Sequence, residues 1–451
     1  MRAGAWPVVA EPSLTEGLVA LLARPITAAD RRRAALHLID WIGCAAAGAA
    51  SETGGVFRAH AAAQPAGTAR IILGGRAAAR NAAFANGAFG NVLEMDDVHR
   101  EAILHPGPVV IPAALALAAE RATGGAALLD AILRGYEAEI RIGRAMGGGH
   151  YAKFHPTATM GPFGAAAACG SLLGLDAESM AWALGNAGTQ AGGVWQCRHE
   201  AVMTKQLHTA RAAAMGLEAA QMAALGLSGP RLILEGPQGV FAGLATDAKP
   251  HRVLDEPDAP WLVHATSFKP WPACRHAHPA IDAALALRPR IAGRTTVAVH
   301  VESYADALAF CDRALPRSTV QAKFSLQHAV AVTLLDGPPP LSAFDPPALD
   351  RGDLAALRAC VTVAAEPGFT RAYPTHYGAA IRVTLADGET LRESVPDALG
   401  DPENPLAEDA ILAKARMLME SAGVARADGV IVAALALADG APAAHLNDAL
   451  P

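Results

Sequence analysis

The chain contains few charged and few aromatic side chains, which make up 18% and 5% of its 451 residues. Its formal net charge is -6, and no run of Lys and Arg supplies a local basic patch. The sequence therefore predicts no nucleic-acid partner. An anionic substrate would have to be met by a local cationic pocket.

The sequence also lacks the apolar segments that direct or anchor a protein to a membrane. Pro7 and Glu11 interrupt the N-terminal stretch where a signal peptide needs an unbroken apolar run. The longest apolar run, around 109–119, is well short of the roughly 20 residues that span a bilayer. We therefore expect a soluble cytoplasmic protein with no membrane partner.

Cysteine is scarce and scattered along the chain. The six cysteines form no C-x-x-C pair and have neither iron–sulfur nor zinc-ribbon spacing. They are Cys44, Cys169, Cys197, Cys274, Cys311 and Cys360. This pattern is typical of small buried thiols in a reducing compartment.

Apolar residues are abundant and follow helical periods through the first 265 residues. The hydrophobic fraction of 52% indicates a well-packed protein, and 451 residues exceed what one hydrophobic core usually organises. Thr27 and Asp30 predict a capping box at the start of a long helix. Further helical patterns cover 112–121, 126–144, 164–173, 179–187 and 208–225.

After residue 265 the periodicity changes. TTVAVHVESY from Thr295 alternates as a strand does, and AAIRVTLADGETLRESV from Ala379 is two such runs joined by Asp387-Gly388, a hairpin signal. Helical patterns cover 325–335, 353–363, 411–421 and 429–437. We predict a mostly α protein, in which a large all-helical domain, 1–265 and 401–451, carries an inserted smaller α+β domain, 266–400.

Four separated segments combine charged or imidazole side chains with small residues that expose the backbone. They read EMDDVHREAILHPG from Glu94, KFHPTATMGPFGAAAA from Lys153, MTKQLHTARAAAMGLEAA from Met203 and SFKPWPACRHAHPAIDA from Ser267. In a chain that is half apolar, such clusters fit neither a core nor a general surface. They predict the pieces of one active site.

The residue types in these segments suit reactions through a carbanion next to a carboxylate. Such a site needs cations on the substrate carboxylates, a base and an acid, and the segments supply them without a cofactor. Lysines would clamp carboxylates, imidazoles would transfer protons, and acidic side chains would orient the imidazoles. The candidates are Lys205, Lys269, His155, His105, Asp96, Asp97 and Glu94.

Each candidate also has a simpler explanation. A lone lysine on a helix is most often solvated, and His155 would cap a carbonyl in the loop before a helix that begins near Gly161. The run 94–97, together with His99 and His105, would instead form the metal site of a hydrolase. No H-E-x-x-H spacing accompanies that run.

Seven stretches in order resemble the MmgE/PrpD family, which includes 2-methylcitrate dehydratase, cis-aconitate decarboxylase and an iminodisuccinate epimerase. Three of these stretches are the segments above that begin at Lys153, Met203 and Ser267. The other four are NAAFANGAFGNVLEMDD from Asn81, HPGPVVIPAALALAAE from His105, LLDAILRGYEAEIRIG from Leu128 and QAKFSLQHAVAVTLLDG from Gln321. The resemblance implies the same two-domain architecture, an active site in the cleft between the domains, a homodimer and metal-independent chemistry.

The resemblance also implies roles for single residues. Six candidates match active-site positions of the family: Lys205, Lys269, His155, His105, Asp96 and Asp97. Glu94 stands where the family often has Asp, so the role of this first carboxylate is open.

The segment after Lys269 departs from the decarboxylase branch. KPWPACR resembles the dehydratase branch, which implies that Arg275 helps to bind a carboxylate. The alternative is that Arg275, His276 and His278 face water at a domain entry. Phe310 stands where the decarboxylase branch has an active-site tyrosine, and whether Phe310 or Tyr304 lines the site is open.

We therefore expect a lyase that needs neither metal nor other cofactor and acts on a small di- or tricarboxylate. The first choice is dehydration of a β-hydroxy acid of the 2-methylcitrate or citrate type. The alternatives are decarboxylation of a cis-aconitate-type acid, epimerisation through the same carbanion, and a non-catalytic carboxylate-binding protein on this fold.

Overall fold

The computed structural model describes residues 12–200 and 202–451. Pro7 and Glu11, on which the argument against a signal peptide rests, lie outside the described residues. The described chain is mostly helical, which confirms that prediction, and it also contains a two-stranded ladder and a four-stranded sheet.

The first 265 residues form eleven of the helices found in the described residues, and one short ladder. The helices are α1 Leu14–Leu22, α2 Ala28–Ala50, α3 Glu52–Ala62, α4 Ala79–Gly90, α5 Gly107–Ala118, α6 Gly125–Ala145, α7 Gly148–Tyr151, α8 Pro156–Leu173, α9 Ala177–Gly188, α10 Lys205–Ala224 and α11 Val240–Leu244. The ladder pairs β1 Ala69–Arg70 with β2 Arg76–Ala77 in antiparallel orientation.

The remaining residues form a sheet and ten more helices. The strands are β3 Thr296–Ser303, β4 Val361–Ala365, β5 Ala379–Leu385 and β6 Thr390–Val395. The helices are α12 His278–Ile291, α13 Ala305–Cys311, α14 Thr319–Lys323, α15 Leu326–Asp336, α16 Pro346–Leu349, α17 Gly352–Ala359, α18 Pro367–Ala372, α19 Glu408–Ser421, α20 Ala427–Ala436 and α21 Ala443–Ala449.

Local signals place several elements where the sequence predicts them. Thr27 and Asp30 form the expected capping box at the start of α2. β5 and β6 pair antiparallel around a turn in which Gly388 has a φ of 90°, a conformation that favours glycine. The predicted hairpin is therefore confirmed.

Two predicted helices begin earlier than expected, and both starts lie at a histidine-proline pair. α5 begins at Gly107 rather than near 112, and α8 begins at Pro156 rather than near Gly161. Pro108 and Pro156 occupy the first turns, where a helix leaves its N–H groups unpaired and tolerates proline. The interior prolines Pro112 and Pro162 therefore lie inside these helices and do not mark their starts.

The predicted helix over 353–363 is wrong in its second half. α17 ends at Ala359, and β4 follows as a parallel partner of β3, with Val299 opposite Val361. The sheet order is β4-β3-β5-β6. Val361, Thr362 and Val363 are β-branched, and pairing with a strand some sixty residues away outweighs the helical pattern that continues from α17.

The buried apolar side chains form two large clusters. One contains residues from Leu18 to Val263 together with residues from Ala415 to Leu450, and the other contains residues from Ala273 to Leu391. In the first cluster α8 and α10 pack so closely that a Cβ at Gly216 would lie 2.4 Å from the Pro162 carbonyl oxygen. The boundaries 1–265, 266–400 and 401–451 stay a prediction, which this division of the core supports.

No single helix of the described part is both long and apolar enough to cross a membrane. The pair α2 and α3 reaches that length and apolarity only together, with an 88° bend between its two members. Every residue of α2 from Ala34 to Ala49 is buried.

A buried ion pair joins α19, in the C-terminal part of the chain, to α2. The Lys414 Nζ lies 2.7 Å from an Asp40 carboxylate oxygen and donates to the Met95 carbonyl oxygen at 2.6 Å. Burial raises the pKa of Asp40 to about 6, although the Lys414 charge opposes that rise. One lysine thus connects the end of the chain, its second helix and the loop after α4.

We predict that Lys414→Met destabilises the fold by about 3–5 kcal/mol, because it leaves Asp40 buried without its cation. This loss of stability should grow as the pH rises. Without Lys414, folding either takes up a proton on Asp40 or buries the ionised carboxylate, and both cost more at higher pH. Urea unfolding at several pH values measures both effects.

Two variants control this experiment. Adding Asp40→Asn to Lys414→Met should restore most of the stability, because no uncompensated charge is then buried. Arg416 lies on the same helix as Lys414 and forms a solvent-exposed ion pair with Asp428 of α20. Arg416→Met removes this pair and should cost at most about 1 kcal/mol. Equal losses from Lys414→Met and Arg416→Met would contradict the assignment.

Candidate active site

The predicted site residues lie where the two apolar clusters meet. Glu94, Asp96 and His105 belong to the loop between α4 and α5, while His155 and Lys205 stand at the starts of α8 and α10. Lys269, before α12, and Lys323, at the end of α14, approach from the other side. We call the following set the ionic cluster: Glu94, Asp96, His105, His155, Lys205, Lys269 and Lys323.

Asp97 holds the loop between α4 and α5 from behind. One carboxylate oxygen accepts from the Gly107 backbone N–H at 2.9 Å. The other accepts from the Tyr136 hydroxyl and lies beside the His37 Nδ1, each at 2.7 Å. Both oxygens are thus occupied by the protein. The sequence analysis named Asp97 as a catalytic candidate. The structure instead directs its carboxylate away from the ionic cluster, where it holds the loop in position.

Asp96 orients His105, as expected for a carboxylate and imidazole pair. The His105 Nδ1 lies 2.9 Å from the Asp96 carboxylate and 2.8 Å from the Asp97 carbonyl oxygen, so Nδ1 donates to these oxygens. Asn91 donates to Asp96 at 2.7 Å. Burial alone would raise the pKa of Asp96, but the charges of Lys269 and His105 outweigh burial and hold the pKa well below its usual range.

Lys205 and Glu94 form an ion pair across the site. Lys205 is the first residue of α10, and its Nζ contacts a Glu94 carboxylate oxygen. Burial would lower the pKa of Lys205, but the charges of Glu94 and Asp96 raise it above the ordinary value. Glu94 has a φ of 58°, in the left-handed region that side chains other than glycine rarely adopt and that recurs at functional sites.

Lys269 is completely buried, and its closest carboxylate oxygen, on Asp96, is 3.5 Å away. The sequence analysis missed a third lysine, Lys323, whose Nζ donates to the Leu93 carbonyl oxygen at 3.1 Å. Burial lowers the pKa of Lys323 to about 8, with the neighbouring Lys269 and Lys205 adding to the effect and Glu94 opposing it. Lys323 lies in the QAKFSLQ stretch, but nothing local distinguishes it from a solvated lysine.

His155 is the N-terminal cap residue of α8 and is buried. Its ring stacks on Trp195 with 4.3 Å between the ring centroids, and its Nδ1 lies 3.2 Å from the His208 Nδ1. The His105 ring is 6.5 Å away. Burial and then the charge of Lys205 hold the pKa of His155 well below its usual range, so the imidazole is neutral. The sequence analysis assigned no role to His208, although it follows Lys205 by three residues on α10.

Arg275, His276 and His278 are all buried, so the expectation that they face water is wrong. Arg275 pairs with Asp401 and donates to the Leu399 carbonyl oxygen at 3.2 Å. Its guanidinium group is therefore bound to the segment that leads into α19. The structure does not bring it into the ionic cluster, and a role in binding substrate gains no support.

Phe310 and Tyr304 both approach the site through His276. The Phe310 ring stacks on His276 at 5.0 Å and on Tyr151 at 5.2 Å. Tyr304 is completely buried, and its hydroxyl lies 2.6 Å from the His276 Nδ1. Tyr304 therefore contacts this side of the site through an imidazole.

The metal-site alternative gains no support from the geometry. His99 uses its Nδ1 to accept from the Ala102 N–H at 3.2 Å, away from the ionic cluster. Within 12–200 and 202–451, the three groups that approach as metal ligands would are His376, Asp397 and Glu403. Arg100 already donates to both of those carboxylates, at 2.9 and 2.6 Å.

Two family models match this chain. The MmgE/PrpD N-terminal domain matches residues 14–253, and the MmgE/PrpD C-terminal domain matches residues 271–438. The chain belongs to the MmgE/PrpD family. The predicted family is thereby confirmed, and the predicted boundary between 265 and 266 falls between the two matched ranges.

Three relatives in the family are lyases. The cis-aconitate decarboxylase of Aspergillus terreus is 29% identical over 417 residues, which are 86% of this chain and 85% of that protein. The cis-aconitate decarboxylases of Mus musculus and Homo sapiens are 30% and 29% identical, over 74% of this chain and 70% and 71% of those proteins. The prediction of a lyase is confirmed, and decarboxylation is favoured over the dehydration that the sequence analysis ranked first.

We predict that affinity for a tricarboxylate falls as the pH rises through about 8, because Lys323 is cationic below its pKa and neutral above it. Tricarballylate suits the measurement, since it has three carboxylates and neither a double bond nor a hydroxyl group. Its Kd should rise about tenfold from pH 7 to pH 9, as linkage to one group with a pKa of about 8 requires.

Two variants test the assignment to Lys323. Lys323→Gln should bind more weakly at pH 7 and show a flat profile up to pH 9. Lys249→Gln removes an exposed lysine and should follow the wild type. A wild-type Kd that is flat through pH 9 would contradict the prediction.

Proposed function

We propose that the chain is a cofactor-independent decarboxylase of a small unsaturated tricarboxylate of the cis-aconitate type. The observation that carries the proposal is the meeting of three lysines, two of them buried and Lys205 partly buried, with only two carboxylates in the ionic cluster. That excess of positive charge suits a polyanion, which would replace the internal pairing. The named activity of the relatives selects decarboxylation among the reactions of such a substrate.

The reaction needs little beyond electrostatic support. The bond between a carbon and its carboxylate breaks, CO2 leaves, and the electron pair moves into the adjacent double bond and its carboxylate. Lys205 and Lys269 would bind the remaining carboxylates and stabilise the charge that develops on them. A proton delivered to carbon completes the product, a dicarboxylate.

His155 is our choice for the proton donor, and the bound substrate would prepare it. In the free protein the positive charge of Lys205 and burial keep His155 neutral. A bound polyanion neutralises the lysines and raises the pKa of His155, so the imidazole takes up a proton when substrate binds. His105, with Nδ1 held by Asp96, is the second imidazole on this side of the site.

Dehydration of a 2-methylcitrate- or citrate-type hydroxy acid is the second candidate. Phe310 favours it, because this position lacks the hydroxyl that the decarboxylase branch carries there. Loss of water uses the same lysines, with a neutral His155 as the base that removes the proton next to a carboxylate. The homodimer implied by the family stays a prediction.

We expect purified protein to convert cis-aconitate to a dicarboxylate with release of CO2, and to keep this activity after exhaustive treatment with EDTA. Proton NMR of the reaction mixture identifies the product directly. Parallel incubations with citrate and 2-methylcitrate test the second candidate, since dehydration gives an unsaturated tricarboxylate and no CO2. Turnover of none of the three acids would remove both proposals.

The second prediction separates binding from proton transfer. His155→Gln should lower kcat by about a hundredfold or more, the usual scale for a lost general acid, and leave the Kd of tricarballylate within about threefold. Lys205→Ala should weaken tricarballylate binding by about a hundredfold, since it removes a charged partner from a buried site. Steady-state kinetics and calorimetry provide the two measurements.

Calorimetry also tests the substrate-linked protonation of His155. At pH 6.5, wild-type protein should take up a proton as tricarballylate binds, seen as a binding enthalpy that depends on the buffer. His155→Gln should lose that uptake, whereas the exposed control His251→Gln should retain it. Proton uptake that persists in His155→Gln would transfer the role to another group, with His105 next in line.

A further inference from the structure

His276 is a buried histidine that the mechanism above does not use. It lies in the single turn Arg275–Ala277, between the Lys269 segment and α12. Only 4% of its surface is exposed, and its ring stacks on both Phe310 and Tyr377, at 5.0 and 5.5 Å. Burying an imidazole in this way costs free energy unless its nitrogen atoms find partners.

Tyr304 supplies one of those partners. Its hydroxyl lies 2.6 Å from the His276 Nδ1, and burial raises the pKa of Tyr304 well above the ordinary value, so the hydroxyl keeps its proton. The Tyr304 hydroxyl has no other acceptor within the described ranges, so it donates to Nδ1, and the proton of a neutral imidazole is then on Nε2. Nε2 itself makes no hydrogen bond to the protein within these ranges.

The surroundings of His276 also fix its charge. Burial, and after it the charges of Lys269, His105 and Arg275, lower the pKa of His276 to about 3. Phe310, which stacks on His276, also stacks on Tyr151, and the nearby Cys274 N–H donates to the Lys323 carbonyl oxygen at 2.9 Å, so His276 lies beside the ionic cluster. A neutral imidazole donates a hydrogen bond without adding a further charge beside the lysines.

We propose that His276 donates a hydrogen bond from Nε2 to a carboxylate oxygen of the bound substrate, and that Tyr304 is a positioning residue that fixes this tautomer. The inference rests on the proposed function, since it deepens the description of the same site. Phe310 contributes a ring and no polar atom here, so the polar contact on this side comes from His276.

The test measures the Kd of tricarballylate by calorimetry and kcat on cis-aconitate for three variants. His276→Leu removes the donor and should weaken binding about tenfold to a hundredfold, the usual effect of losing a hydrogen bond to a charged group. His276→Gln offers an amide N–H near the position of Nε2 and should recover to within about threefold of wild type. Tyr304→Phe should weaken binding about fivefold, because Nδ1 is then free to carry the proton.

Tyr377→Phe is the matched control for Tyr304→Phe. Both tyrosines pack against His276, but the Tyr377 hydroxyl donates to the Arg100 carbonyl oxygen at 3.3 Å. Its removal should leave the Kd within about twofold. Where Leu at position 276 prevents folding, the comparison of Tyr304→Phe with Tyr377→Phe carries the test alone, with nitrogen-15 NMR of the histidine side chains reporting the tautomer.

The outcomes separate this inference from the proposed function. Wild-type protein that binds tricarballylate but turns over no acid removes the proposed function, and the Kd series still tests His276. A Kd within twofold of wild type in both His276→Leu and Tyr304→Phe overturns the inference while the function stands. Wild-type protein that fails to bind tricarballylate also overturns it, as does a His276 tautomer protonated on Nδ1.

Discussion

The packing of three lysines against two carboxylates is the interaction on which the site depends. Glu94 and Asp96 raise the pKa of Lys205 and keep it charged, whereas burial and, after it, the Lys205 charge keep His155 neutral. Lys323, with a pKa near 8, shows that the pairing is incomplete. The free site therefore holds more positive charge than it can compensate. In the proposed function a polyanionic substrate supplies the missing negative charge, which couples its binding to the protonation of His155.

Such a charge distribution works only if the carboxylates cannot move to follow the lysines. The loop between α4 and α5 meets this condition because it is held at every second residue from 93 to 97. Lys323 binds the Leu93 carbonyl, Lys414 binds the Met95 carbonyl, and Asp97 binds the first turn of α5. The anchors come from α14, from α19 and from within the loop itself. Both ends of the chain and the α+β part thus fix the geometry of one loop.

The sequence predicted what depends on neighbouring residues. The capping box at Thr27, the turn at Gly388 and the matched lysines of the site all follow from local patterns or from the family resemblance. It did not predict Lys323, because its partner Leu93 is 230 residues away and only the packing of the two apolar clusters brings them together. The Asp40 and Lys414 pair was missed for the same reason. β4 was read as helix because its partner β3 is also distant in sequence, some sixty residues away.

The two sides of the site differ in how they handle charge. The helical side contributes Glu94, Asp96 and imidazoles that can exchange protons, and all of these are held by residues of the helical core. The other side presents the cations Lys269 and Lys323 beside an aromatic group in which His276 is kept neutral by its surroundings. In the proposed mechanism proton transfer belongs to the helical side, whereas carboxylate recognition is shared between Lys205 of that side and the lysines of the other. Phe310 lacks the hydroxyl that the decarboxylase branch carries at this position, and this difference leaves the proton-transfer residues as they are. Differences of this kind let one scaffold accommodate reactions that share a carbanion and differ in the leaving group.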